Sequence, residues 1–235
     1  MTSVLKLHDT VLKVSTEAKV LIPEMPITRE ESKLLSHLVL CILSSQEKYE
    51  VALGAIKMLQ KNDVLRIPQN RSQLNEIKRA INNTLSKPVK FTSNGKRFLR
   101  RLRFYNKKCD YIITTIQNIY LNDLTIKEIL SSNDCVQETR NTIINISNGL
   151  GPKQASMFLR NVGYYSEFAV LDKHVIDYMK ILGMTEVSSK GFSTIRQYQI
   201  AETTLKSYAD TYNVSLLHLD MAIWTTMRTL QKLKA

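Results

Sequence analysis

Residues 144–163 read INISNGLGPKQASMFLRNVG, and this stretch decides the fold. The sequence predicts a helix, then a tight turn at 149–151, then a second helix that starts with Pro152 at its first position and ends at Gly163. Two glycines around one apolar residue let the backbone reverse sharply. Five of the seven glycines in the chain fall between 149 and 191, so we look for chemistry in this region.

The turn formed by Gly149, Leu150 and Gly151 is expected to expose the backbone N–H groups at the start of the second helix. Unpaired N–H groups at a helix N-terminus bind anions, and DNA phosphate is the natural anion for a chain with a net charge of +12. We interpret the segment as a helix-hairpin-helix motif that binds the DNA backbone. The alternative is an ordinary corner between two helices with glycine at the bend.

Two side chains near this hairpin suggest chemistry. Lys153 falls in the first turn of the second helix, where the macrodipole destabilises an ammonium ion and favours a neutral, nucleophilic amine. Asp172 follows nineteen residues later, in AVLDKHVIDYM, where a carboxylate can stabilise positive charge developing on a sugar or assist deprotonation of the amine. The structural alternatives are a phosphate contact for Lys153 and a helix N-cap for Asp172.

The composition is typical of a globular protein, with 43% hydrophobic and 23% charged residues in a chain of 235. Three cysteines, Cys41, Cys109 and Cys135, are too few and too far apart for a disulfide framework or a four-thiolate metal site. Residues 34–43 form the longest apolar stretch, which polar residues interrupt, and the N-terminus lacks signal-peptide features. We therefore expect a soluble cytoplasmic protein without membrane contact.

Apolar residues recur at helical spacing along most of the chain, and no alternating pattern competes, so the predicted fold class is all-α. Pro23 and Pro26 are expected to form a linker or turn, and Thr28 with Glu31 is a predicted capping box. A buried helix at 32–45 follows. Further helices are predicted at 48–61, 72–83, 124–131, 135–148, 152–162, 173–182, 193–209 and 215–232.

The strongest periodicity predicts a long amphipathic helix at 98–119. Its predicted outward face is basic over its first half, with no acidic residue before Asp110. That face either follows DNA phosphates or is simply solvated. Its basic residues are Lys96, Arg97, Arg100, Arg101, Arg103, Lys107 and Lys108.

These motifs together resemble a known family. GLGPKQA at 149–155, followed by LDKHV at 171–175, is similar to the signature of the helix-hairpin-helix DNA base-excision glycosylases. A lysine at position 153 resembles the bifunctional glycosylase/lyase branch. With RFYNKK at 103–108 and LDMAIW at 219–224, the chain resembles the archaeal-type 8-oxoguanine DNA glycosylases from about Thr28 onward.

The resemblance implies a role for each matching residue near the hairpin. Lys153 would be the nucleophile that forms a Schiff base, and Asp172 would be the essential carboxylate. The turn at 149–151 would lie against phosphate. His174 would contact the DNA backbone, and the alternative for it is a histidine on a helix surface.

Two further groups of residues are implied by the same resemblance. Ser44, Ser45 and Gln46 match a polar turn that contacts the disrupted base pair, although a plain helix C-terminus is the alternative. Asp220 and Trp224, one helical turn apart, would face the base pocket, where Trp stacks on an extruded purine and Asp accepts from its N–H groups. The alternative is a core tryptophan with a surface aspartate.

The family architecture implies two helical subdomains with the helix-hairpin-helix motif at the cleft between them. Residues 1–30 and 166–235 would form one subdomain, and residues 31–165 a helical barrel that ends in the hairpin. Lys153 and Asp172 would then lie on opposite lips of the cleft. Two features differ from related proteins. The chain lacks the C-terminal cysteines of the iron–sulfur branch, so no cofactor or metal is expected. Relatives of the archaeal type end in a lysine, whereas this sequence ends in Lys234-Ala235.

The function implied is excision of 8-oxoguanine from duplex DNA in DNA repair. Lys153 would displace the extruded base, and β-elimination through the Schiff base would cut the strand. We expect a monomer associated with the nucleoid, with 8-oxoguanine-containing duplex DNA as its partner. The alternatives are a catalytically silent helix-hairpin-helix DNA-binding protein and an RNA-binding helical protein that uses the basic segment at 96–108.

Overall fold

The fold is taken from a computed structural model of the chain. The structure describes residues 3–21, 27–93, 95–132, 135–164, 167–187, 191–192 and 194–233. Within these residues there are eleven helices and one two-stranded antiparallel sheet, which confirms the all-α class. Pro23, Pro26, Lys234 and Ala235 lie outside the described residues. No helix of the described part is both long and apolar enough to cross a membrane.

The elements divide between two compact units, Ile27–Tyr164 and the pair Met1–Pro26 with Tyr165–Ala235. In chain order they are α1 (Ser3–Leu21), α2 (Glu31–Ser44), α3 (Tyr49–Lys61), α4 (Arg71–Leu85), β1 (Val89–Ser93), β2 (Lys96–Arg100), α5 (Tyr105–Tyr120), α6 (Ile126–Ser131), α7 (Val136–Ile146), α8 (Pro152–Asn161), α9 (Lys173–Ile181), α10 (Ile195–Thr211) and α11 (Leu216–Leu233). The eight further helices predicted after residue 47 agree with these bounds to within two residues at each end.

Helix α2 is the central helix of the unit Ile27–Tyr164. Every residue from Leu38 to Leu43 is buried, and α2 packs against α3, α5, α6 and α8. A helix that is apolar on all sides must be enclosed on all sides, so the structure confirms the prediction of a buried central helix.

The predicted capping box of Thr28 and Glu31 is wrong. The N-cap of α2 is Glu30, and no side chain caps this helix. Glu31 instead accepts hydrogen bonds from the Tyr120 hydroxyl at 2.7 Å and from the backbone N–H of Ile126 at 2.7 Å. A carboxylate at the start of α6 satisfies N–H groups that a helix terminus leaves without partners, so Glu31 fastens three helices together.

The predicted long helix at 98–119 is also wrong in its first part. The chain forms an antiparallel ribbon, β1–β2, and α5 begins only at Tyr105, after Phe104 in a left-handed conformation with φ of 53°. Ser93 pairs with Lys96, so the strands are joined by Asn94-Gly95, the commonest two-residue hairpin sequence. The spacing of Phe98, Leu102 and Tyr105 fits a helix by coincidence.

The second unit packs α1, α9 and α10 against α11. Its core contains Val11, Tyr178, Tyr198, Leu219 and Ile223, all almost fully buried. Helix α1 was not predicted from the sequence. Its apolar residues recur at helical spacing within a charge-balanced stretch, and they are Leu7, Val11, Val14 and Ala18.

Candidate active site and DNA interface

The hairpin turn between α7 and α8 has the predicted form. Gly149 has a φ of +81°, and a Cβ added there would lie 2.2 Å from the Tyr111 ring. Both observations require glycine, because other residues rarely adopt this conformation and the ring leaves no space for a methyl group. Leu150 is buried and holds the turn against the core of its unit.

The second glycine of the turn has a different role. Gly151 is the N-cap of α8 with a φ of −100°, which any residue adopts, and an added Cβ would meet only the Gln154 side chain at 3.7 Å. No side chain caps α8, and Pro152 occupies its first position. The helix start therefore offers uncapped backbone N–H groups beside a residue without a side chain, which suits an approaching anion.

The two glycines allow a matched test of the hairpin. Gly149→Ala is expected to destabilise the fold by about 2–3 kcal/mol, because it combines backbone strain with a clash against Tyr111. Gly151→Ala is expected to leave the free energy of unfolding within about 1 kcal/mol of the wild type. It is expected to weaken duplex DNA binding, since its methyl group would lie beside the uncapped backbone N–H groups at the start of α8. Denaturation and DNA titration measure the two effects, and unchanged binding by Gly151→Ala would contradict the phosphate role.

A buried arginine joins the two helices of the hairpin. Arg140 on α7 is fully buried and donates from Nη1 to the Ser156 hydroxyl on α8 at 2.9 Å. A second bond, from Nη2 to Gln137 Oε1 at 2.9 Å, orients the guanidinium along its own helix. This contact fixes α8, and with it Lys153, relative to α7.

Lys153 is half-buried in the first turn of α8, in the unit Ile27–Tyr164. Burial raises the pKa of the Cys41 thiol on α2, and the positive charge of Lys153 opposes that increase. Cys41 lies three residues before the turn at 44–46. Helices α2 and α8 pack against each other, so Lys153 and the polar turn at 44–46 belong to neighbouring helices of one unit.

That polar turn ends α2. Ser44 donates its hydroxyl to the Cys41 carbonyl at 2.8 Å, Ser45 is the C-cap, and Gln46 is exposed with a φ of +52°. Glu47 fixes the turn from the other side, because its Oε2 accepts the backbone N–H of Arg103 at 3.0 Å. Its Oε1 lies 3.2 Å from the Arg100 guanidinium. A left-handed residue directly after a helix C-cap is a common way to end a helix, and the exposed Gln46 side chain stays accessible to a ligand.

Lys108 supports the same turn. The sequence placed it on the outward basic face of the helix predicted at 98–119, and this assignment is wrong because the side chain is buried. It is only 3% exposed, and its ammonium donates to the Leu43 carbonyl at 2.7 Å, capping the last turn of α2. Burial lowers the pKa of Lys108 to about 8, although the Glu47 carboxylate acts in the opposite direction.

This pKa predicts a pH-dependent stability. Unfolded Lys108 titrates near 10.5, so between pH 8 and that value the unfolded chain binds more protons than the folded one. The free energy of unfolding attributable to Lys108 therefore rises with pH, by roughly 1 kcal/mol between about pH 7.5 and 9. Urea denaturation of the wild type and Lys108→Met across this range measures it. A constant difference between the two proteins at all pH values would contradict the expectation.

Phe104 is a candidate that the sequence reasoning missed. This side chain is 62% exposed, its backbone is left-handed, and it follows Arg103, which is bound to the 44–47 turn. An exposed aromatic residue in a strained backbone conformation is more typical of a ligand contact than of a solvated surface. The signal was present in RFYNKK but was hidden by the incorrect assignment of a helix at 98–119.

Asp172 belongs to the other unit and is the N-cap of α9. Its Oδ1 accepts the backbone N–H groups of His174 at 2.9 Å and Val175 at 3.1 Å. Among the described residues Oδ2 has no hydrogen-bond partner, and the side chain is half-buried. The capping alternative is therefore confirmed, and one carboxylate oxygen stays available for another ligand.

The same unit brings Asp172, His174, Asp220 and Trp224 together, although they are up to 52 residues apart in sequence. Asp220 is 2% exposed and accepts the Val170 N–H at 2.8 Å, two residues before Asp172. The His174 and Trp224 rings are in edge contact, with centroids 6.4 Å apart. The alternative of a core tryptophan and a surface aspartate is wrong, because Trp224 is 36% exposed and Asp220 is buried.

His174 and Trp224 each keep features suited to a ligand. The buried Nδ1 of His174 has no hydrogen-bond partner among the described residues, and a buried polar atom without a partner is costly. The Arg228 guanidinium lies 4.7 Å from the centroid of the Trp224 ring, which holds the exposed indole in place.

A pair of helices joined by a glycine turn, with an uncapped second helix, defines this chain as a helix-hairpin-helix protein. The sequence also matches the Ogg-HhH family of 8-oxoguanine DNA glycosylases over residues 22–214. The chain belongs to that family.

Two relatives illustrate the match. The 8-oxoguanine DNA glycosylase/AP lyase of Sulfurisphaera tokodaii is 31% identical over 196 residues, which are 83% of this chain and 82% of that protein. The protein of the same name from Saccharolobus islandicus is 40% identical over 126 residues, 53% of this chain. The chain spans only 58% of the length of this second relative.

Two solved structures share the fold. The 8-oxoguanine DNA glycosylase of Thermotoga maritima superposes with a TM-score of 0.68 at 23% identity, covering 94% of this chain and 95% of that one. The 8-oxoguanine glycosylase/lyase of Methanocaldococcus jannaschii, in complex with a 15mer DNA containing 8-oxoguanine, gives a TM-score of 0.63 at 22% identity. That match covers 92% of this chain and 88% of the other.

Proposed function

We propose that this chain is a bifunctional DNA glycosylase and AP lyase that excises 8-oxoguanine from duplex DNA. The observation that carries the proposal is the position of Lys153, in the first turn of an uncapped helix directly after the hairpin turn. The family match and the names of the relatives from Sulfurisphaera and Saccharolobus support the substrate.

In the proposed reaction, the hairpin turn binds backbone phosphate and the damaged nucleotide is extruded from the stack. The Lys153 amine attacks C1′ of the sugar, and the N-glycosidic electron pair leaves with the base. Ring opening gives a Schiff base between Nζ and C1′. Loss of a C2′ proton then expels the 3′ phosphate and cuts the strand.

The remaining residues have supporting roles in this proposal. The free Oδ2 of Asp172 stabilises the positive charge that develops on the sugar. His174 offers its unpartnered Nδ1 to a DNA backbone group, and Ser45 with Gln46 contacts the disrupted base pair. Trp224 stacks on the extruded base, and Asp220 accepts from its N–H groups. A monomer associated with the nucleoid in the cytoplasm fits a duplex DNA substrate.

Borohydride trapping tests the proposal directly, because reduction of the Schiff base leaves a covalent protein–DNA adduct. The wild-type chain is incubated with duplexes that carry 8-oxoguanine, guanine or an abasic site at one position. We expect an adduct with 8-oxoguanine and with the abasic site, and none with guanine. Salt-sensitive binding to all three duplexes without any adduct would instead identify a non-catalytic DNA-binding protein.

A further inference from the structure

The β1–β2 ribbon lies in the most basic segment of the chain. Residues 87–109 contain nine Lys and Arg and no Asp or Glu, in a protein whose net charge is +12. From the sequence, the seven cations from Lys96 to Lys108 were assigned to the outward face of a helix, whereas the structure places Lys96, Arg97 and Arg100 on strand β2 and Lys90 on strand β1. The reaction proposed above gives the ribbon no role.

The strand register separates the two faces of the ribbon. Cross-strand partners point to the same side, so Val89 with Arg100 and Phe91 with Phe98 share one face. This face contacts the protein: Val89 is fully buried, and a Cβ added to Gly54 on α3 would lie 2.6 Å from it. The ribbon is therefore held against α3 by one side only.

The opposite face is turned to solvent. Lys90 pairs with Leu99 and Thr92 pairs with Arg97 on this side, and all four are exposed. Lys96 pairs with Ser93 and so belongs by register to the face of Val89 and Phe91, but it lies at the tip of the ribbon and is exposed as well. None of these three cations forms an ion pair with any described residue, whereas Arg100 on the inner face is paired with Glu47. The free positive charge is thus confined to the outer face and the tip.

The ribbon is connected by direct contacts to both DNA-binding candidates of its own unit. Glu47 joins Arg100 at the end of β2 to the turn at 44–47. From there Lys108 contacts the Leu43 carbonyl, and Tyr111 on the same helix lies against Gly149 of the hairpin turn. The ribbon, the polar turn and the hairpin turn are therefore positioned by one continuous set of contacts.

We infer that the outer face of the ribbon, together with its tip, is a second duplex-binding surface. Lys90 and Arg97 on the outer face and Lys96 at the tip contact backbone phosphates beyond the extruded nucleotide. The inference rests on the proposed function for its ligand. A two-stranded ribbon is narrow enough to enter the major groove of a DNA duplex, and three cations without ion-pair partners on one short ribbon suit contact with several phosphates. Leu99, 62% exposed among them, supplies apolar contact to sugars.

A triple variant, Lys90→Gln with Lys96→Gln and Arg97→Gln, tests this inference. The matched control is Lys6→Gln with Lys13→Gln and Lys19→Gln, which removes the same charge from exposed positions on α1. The affinity for undamaged duplex DNA is measured by fluorescence anisotropy over a series of salt concentrations. Thermal denaturation checks that both variants remain folded, as expected for exposed side chains.

The ribbon variant is expected to bind duplex DNA about tenfold or more weakly than the wild type. The slope of log affinity against log salt is expected to fall by up to about 2.7, since each lost phosphate contact contributes about 0.9. The α1 control is expected to keep nearly the full slope.

Equal slopes for the two triple variants would overturn the inference, because the effect would then reflect net charge alone. Retained duplex affinity together with weakened binding of single-stranded RNA of the same sequence would also overturn it. If the wild type forms no borohydride adduct but the ribbon variant still loses its salt slope, the ribbon inference stands and the proposed catalysis fails.

Discussion

Lys153→Gln is expected to abolish the borohydride adduct and to lower both base excision and strand cleavage by roughly 10³-fold or more. Glutamine keeps much of the length and polarity of lysine but has no amine that can attack C1′. Because Lys153 is only half-buried at the start of α8, the substitution is expected to leave the fold intact. Single-turnover cleavage of an 8-oxoguanine duplex measures the loss, and thermal denaturation confirms folding.

The matched control is Lys127→Gln, which removes an exposed lysine from the first turn of another helix, α6, in the same compact unit. We expect this variant to trap, excise and cleave like the wild type. Lys153→Gln is expected to retain duplex binding within about tenfold, since the hairpin turn and its backbone N–H groups are unchanged. An adduct that persists in Lys153→Gln would mean that another amine is the nucleophile.

The hairpin could be predicted from the sequence because its signals are local. Gly149 requires a positive φ, and Pro152 fits only the first turn of a helix, so the order of residues fixes the turn. Asp172 was likewise recognisable, since an aspartate directly before a helical segment caps it whatever its other role. Neither inference needs knowledge of what packs against these residues.

The ribbon was missed because apolar residues of this basic segment recur at helical spacing although its first part forms strands. Phe98, Leu102 and Tyr105 recur at helical spacing, yet Phe98 belongs to a strand and stacks on Phe91, with centroids 5.5 Å apart. The Asn94-Gly95 pair was the stronger signal, because it specifies a hairpin by backbone geometry. The role of Lys108 could not be predicted from the sequence either, because only the tertiary structure shows that its ammonium donates a hydrogen bond to the Leu43 carbonyl.

Long-range contacts explain why the roles of some polar residues could not be predicted. Glu31 has the position of a capping residue for its own helix, but its partners lie 89 and 95 residues away. Asp220 was expected near a base pocket, and the structure shows that it also holds Val170, fifty residues earlier. Sequence spacing identifies the residue type that a site needs, whereas the folded chain decides which partners each residue finds.

Asp172→Asn is expected to lower excision by about 10²–10³-fold while leaving the protein folded. Asparagine is as good an N-cap as aspartate, so its amide oxygen can keep the bonds from His174 and Val175, and only the negative charge is lost. The stability cost is limited to the interaction of that charge with the helix dipole, about 0.5 kcal/mol. The proposed stabilisation of positive charge on the sugar is removed entirely.

Asp172→Ala separates the two roles of this residue. It removes the charge and the cap together, so it is expected to lose the same excision activity as Asp172→Asn and a further 1 kcal/mol or so of unfolding free energy. Excision rates under single-turnover conditions and urea denaturation of both variants provide the comparison. If Asp172→Asn were as active as the wild type and only Asp172→Ala were impaired, the residue would be a helix cap alone, and the positive charge on the sugar would need another carboxylate.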